Sequence, residues 1–73
     1  MKKLLKDYDL KTDFDYYELI VNSVINGNRT QAKEQFKAMP KINRKEFIKH
    51  LLIYSDLYDE FTHSDKIMFI DQF

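Results

Sequence analysis

Glu60 and His63 stand in a Glu-x-x-His spacing, with Asp59 four residues before the histidine. On a helix that spacing puts carboxylate and imidazole on one face, the ligand arrangement of di-iron helical bundles. Such centres need two of these pairs and two further carboxylates, and the chain supplies one pair. His63 is therefore read as a cap-region or surface residue, and neither metal nor cofactor is expected. Nucleophilic catalysis has equally little to build on. Cysteine is absent, serine occurs only at positions 23, 55 and 64, and His50 and His63 are the only imidazoles, in no order that suggests a Ser-His-Asp relay. Gly27 is the sole glycine, so no glycine-rich loop can cradle a phosphate. The side-chain inventory predicts a protein that is not an enzyme.

Binding chemistry is better represented. The formal charge of zero divides into three blocks: −1 over residues 1–28, +5 over 29–50 and −4 over 51–73. The basic block comprises Arg29, Lys33, Lys37, Lys41, Arg44, Lys45 and Lys49 against Glu34 and Glu46. On two helices joined by a turn these residues could meet a phosphate backbone, with Asn43 and Arg44 at the start of a recognition helix. The same lysines also fit an ordinary solvated face, and zero net charge disfavours a dedicated non-specific nucleic-acid binder. Asp56, Asp59, Glu60 and Asp65 offer the converse surface to a basic partner. Tyrosines 8, 16, 17, 54 and 58 suit the edge of a small core, rings packed and hydroxyls wet, better than base-stacking platforms.

The elements that must position these groups are helical. Seventy-three residues with one glycine and one proline leave little turn chemistry for a sheet, and the apolar fraction of 44% is that of a globular domain. A single domain over residues 1–73 is expected. Thr12 with Asp15 predicts a capping box opening a helix that runs to Asn26, with Phe14, Tyr17, Ile20, Val21, Val24 and Ile25 on its apolar face and Gly27 as its stop. Asn28 with Gln31 predicts a second helix of about ten residues carrying Ala32, Phe36 and Met39, ended by Pro40. Asn43 is read as the N-cap of a third helix, with Glu46 completing the box and Ile42 stapled to Phe47. Its expected inner face is Phe47, Ile48, Leu51, Leu52, Tyr54 and Tyr58. Lys2 to Tyr8 suggests a short opening helix, and residues 64–73 fit a helix better than a strand. The fold class is thus all-α, a small bundle of three main helices with short terminal helical segments.

Apolar residues lie outside the main stripes: Tyr16 and Leu19 on the first helix, Ile53 and Leu57 on the third. A helix apolar on two sides must be covered on two sides. Either the terminal segments wrap over these flanks within the monomer, or the four residues form a protein interface toward another protein or a second copy, which is where the expected interface is placed. The longest apolar runs are four residues, Lys6, Asp7 and Asp9 interrupt any leader-like start, and cysteine is absent. A cytoplasmic protein without a membrane partner is expected.

The stretch Asn26-Gly27-Asn28-Arg29-Thr30-Gln31-Ala32-Lys33-Glu34-Gln35-Phe36, followed by Arg44-Lys45-Glu46-Phe47, resembles a pattern found in short helical proteins of bacteriophages and mobile elements. The resemblance implies no catalytic residue. It implies binding, or inhibition, of a host or phage macromolecule. The expectation is therefore a small helical protein-binding module. The alternatives are a helix–turn–helix-like nucleic-acid binder using the basic block and a homo-oligomeric structural component.

Overall fold

The computed structural model describes residues 1–54 and 69–70. Among them are four helices and no strand: α1 (Lys2–Asp7), α2 (Asp13–Ile25), α3 (Arg29–Ala38) and α4 (Lys41–Tyr54). Phe69 and Ile70 are also helical. The all-α bundle read from the sequence is what forms.

Local chemistry sets the first two boundaries. The Thr12 hydroxyl accepts from the Asp15 amide at 3.2 Å while the Asp15 carboxylate accepts from the Thr12 amide at 3.1 Å, a reciprocal capping box. At the far end Gly27 takes φ 83°, and the Asn28 amide reaches back to the Ser23 carbonyl at 2.8 Å. This is the left-handed Schellman stop that glycine favours. The same closure ends α1, where Asp9 sits at φ 56° and the Leu10 amide bonds the Leu5 carbonyl at 2.7 Å. It turns the chain so that Leu4, Leu5 and Leu10 all pack against the core. At the start of α3 the expected box does not form: Asn28 donates to the Gln31 side chain and makes no cap bond to the backbone.

The start of α4 differs from the expected cap at Asn43. The ring of Pro40 forces Met39 into an extended conformation, φ −72° and ψ 149°, so α3 ends at Ala38. The Pro40 carbonyl then accepts from the amides of both Asn43 and Arg44 at 3.0 Å, and helix begins at Lys41. Asn43 therefore lies inside the first turn. The staple does not form either, since Ile42 is 71% exposed.

Tyr16, Tyr17, Ile20, Val21 and Val24 of α2 pack with Ala32 and Phe36 of α3, with Met39 just beyond it, with Phe47 and Leu51 of α4, and with Phe69. At its centre Phe36, Phe47 and Phe69 meet pairwise with ring centroids 5.0 to 5.7 Å apart, the Phe47–Phe69 pair edge to face. The inner arc of α2 is rotated from the one periodicity suggests. Tyr16, assigned to an outer flank, is fully buried, whereas Phe14 and Ile25, assigned inward, are exposed. Leu52 of α4, also assigned inward, is 61% exposed, and Ile48 is half-buried. Tyr58 lies outside the described residues.

No atom lies within 4 Å of a Cβ built on Gly27, so Gly27→Ala brings only the backbone penalty of a left-handed residue. Urea unfolding followed by circular dichroism should show a loss of about 1–2 kcal/mol, with the helical signal of the folded protein unchanged.

Candidate functional site

Three sets of polar side chains are enclosed between the helices. The Tyr16 hydroxyl donates to the Gln35 carbonyl at 2.7 Å, joining α2 to α3. Beside it the Ser23 hydroxyl is 2.9 Å from Gln35 Oε1 and 3.0 Å from the Leu19 carbonyl, and its single proton serves one of them at a time. Between α2 and α4, Asn43 donates from Nδ2 to Asp13 at 3.0 Å and to the Tyr17 hydroxyl at 3.2 Å. Both of its amide hydrogens are thereby used, on residues one helical turn apart.

His50 is the third set. It is buried against the Phe14 ring, edge to face at 4.9 Å, and the tilted Tyr17 ring at 5.9 Å, with Nε2 3.8 Å from Glu18 Oε1. Burial lowers its pKa and the Glu18 carboxylate opposes that shift only in part. Burial likewise pushes Tyr16 up to about 12, with a smaller contribution from Tyr8, and raises Tyr17 against the lowering effect of the Asn43 bond. These groups bond one another across helix interfaces, an arrangement that serves to join α2 to its neighbours. Among the described residues no cluster of His, Asp and Glu has the makings of a metal site. Asp59, Glu60 and His63 lie outside the described residues.

The surface offers a different arrangement. At about 100° per residue, Lys49 and Lys45 fall between Ile42 and Leu52 on an arc diametrically opposite Phe47. All four are exposed, and they run along about 15 Å of helix. A shallow depression of about 430 Å³ opens on this side against Lys41, Lys45, Ile48 and Lys49. Lysine stems between Ile42 and Leu52 make the stripe apolar along its length while the ammonium groups stand in water.

The sequence-assigned interface is not assembled as expected. Tyr16 is sealed in the core, Leu19 is partly buried against it, Ile53 belongs to α4 by its backbone, and Leu57 lies outside the described residues. Of the basic block, Arg29 and Lys37 are exposed on α3, Lys33 is half-buried, and Lys41, Lys45 and Lys49 line one side of α4. Arg44, one residue before Lys45, is turned about 100° away and half-buried. Asn43 is buried with its amide engaged, out of reach of any base edge. Ile42 and Leu52 were missed as surface residues because each was assigned to packing. A helical wheel centred on Phe47 alone would have found them.

Comparison of the chain with known protein families, with curated proteins and with solved structures finds no match. No helix among the described residues is long and apolar enough to cross a membrane.

Tyr16→Phe leaves the Gln35 carbonyl without its buried donor and should cost about 1–3 kcal/mol in urea unfolding. Because folding raises the Tyr16 pKa, its contribution is complete below pH 10 and is lost as pH rises toward 12. The wild type should therefore lose stability across that interval more steeply than Tyr16→Phe.

For His50 the sign is reversed. The unfolded chain takes up a proton near pH 6.5 that the folded site resists, so stability is complete above that pH and falls as pH drops through it. Unfolding free energies at stepped pH between neutral and mildly acidic should fall for the wild type and stay flatter for His50→Phe.

Proposed function

We propose that this chain is a non-catalytic protein-binding module whose contact surface is the outer face of α4. The observation that carries the reading is the exposure of Ile42 and Leu52, 71% and 61%, on the arc directly opposite the core. Isolated apolar residues on a surface are ordinary, but these two bracket the stems of Lys45 and Lys49 and complete a continuous stripe. α4 is thus apolar on two sides, and Phe47 and Leu51 occupy only one of them. The polar groups enclosed by the helices are spent on holding those helices together, which is what a rigid binding scaffold requires. The resemblance to small phage and mobile-element proteins points the same way, toward action by binding a macromolecule.

The test compares wild type, Ile42→Ser/Leu52→Ser and Lys45→Ala/Lys49→Ala as tagged baits in nuclease-treated and untreated lysate. Unfolding midpoints of the three proteins establish first that each is folded. A protein recovered in stoichiometric amount after nuclease treatment, and lost with the serine variant, is the expected result. Nucleic acid recovered by wild type and by the serine variant, but lost with the alanine variant, would replace this reading with nucleic-acid binding. A molar mass in solution above 8.9 kDa that returns to that value in the serine variant would make the partner a second copy.

A further inference from the structure

Resting on that reading, we propose that the partner presents an acidic amphipathic helix, with carboxylates about one turn apart beside an apolar ridge. Lys45 and Lys49 are four residues apart, hence about 6 Å apart along the axis of α4. A helix laid alongside α4 repeats its own side chains at the same interval, so glutamates or aspartates at i and i+4 can face both ammonium groups. Ile42 and Leu52, one on each side of the lysines, then take the apolar residues of the same partner helix, as in helix-in-groove recognition.

The charge of the stripe also discriminates among occupants. Docking α4 against α4 of a second copy would set Lys45 and Lys49 against their own equivalents, a repulsion inside an otherwise apolar contact. A basic helix meets the same penalty. A phosphate backbone satisfies the lysines but leaves Ile42 and Leu52 facing anionic oxygens, with nothing to cover them. Only a partner both acidic and apolar uses all four residues. Glu46, the one carboxylate of α4, borders the arc about 60° from Lys49 and about 100° from Lys45 on the side toward Tyr17. Lys45 is thus the lysine farther from it, and the acidic partner approaches from the Leu52 side.

The probe is a fluorescein-labelled designed helical peptide with a leucine ridge and glutamates four residues apart, titrated by anisotropy at low and high ionic strength. Matched peptides carry glutamine or lysine in place of glutamate. The glutamate peptide should bind most tightly and weaken as salt is added. Lys45→Glu/Lys49→Glu should bind it roughly tenfold more weakly and should gain affinity for the lysine peptide. Equal binding of the glutamate and glutamine peptides would overturn the acidic partner while leaving a protein-binding face in place. Displacement of the glutamate peptide by a DNA duplex at lower concentration than by unlabelled peptide would overturn it in favour of nucleic acid. If no peptide binds and the serine variant retains every protein captured from lysate, the acidic partner and the protein-binding reading fall together.

Discussion

The described structure depends on the burial of α2. This helix is covered by α3 on one side and α4 on another, and two tyrosines on consecutive positions, Tyr16 and Tyr17, enter the interior with their hydroxyls. A buried hydroxyl without a partner forfeits about 1–3 kcal/mol, which a small bundle can ill spare, so each neighbouring helix brings a polar group to meet it. α3 does so with the Gln35 carbonyl and α4 with the Asn43 amide. Those two contacts lock the rotational setting of α3 and α4 about their own axes. Once Asn43 faces α2, Phe47 and Leu51 must follow it inward, and Ile42, Lys45, Lys49 and Leu52 must turn outward. The face that α4 exposes is thus determined from inside the core.

Charge is arranged on the same logic. Asp13 is one of two carboxylates in the first turn of α2, where the helix dipole favours it, and it also accepts from Asn43. Glu18 stands 3.8 Å from the buried His50, where burial lowers the imidazole's pKa against the pull of that carboxylate and the ring packs with Phe14 and Tyr17. Lys45 and Lys49 are exposed to solvent. Asp13 of α2 helps to hold α4 in place, while these two lysines of α4 face outward.

What could be read from the sequence was governed by range. Thr12 with Asp15 and Gly27 act on residues within a turn of themselves, and both helix ends fall where their chemistry places them. The kink at Met39 and Pro40 is equally local. Asn43 has the composition of an N-cap, but its partners are Asp13 and Tyr17, thirty and twenty-six residues earlier, and that pairing is invisible to local rules. Tyr16 failed for a related reason. Periodicity locates the middle of an apolar stripe and says little about its width, which for α2 is set by two covering helices. Ile42 and Leu52 were absorbed into an expected staple and an expected inner face, so the surface they form emerged only when the rotation of α4 was known. Charge segregation was legible at once, and its meaning required that same rotation.

The meeting of Phe36, Phe47 and Phe69 has a consequence for how the molecule comes apart. Its members are drawn from stretches eleven and twenty-two residues apart in the chain, and each ring touches the other two. No helix can leave the triangle without exposing aromatic surface on the other two, so fraying of one element does not stop at that element. Loss of structure should be a single cooperative event, with the short helices sharing one fate. The three rings tie α3, α4 and Phe69 together and the Tyr16 and Tyr17 contacts add α2, so helices too brief to persist alone in water are held as one unit.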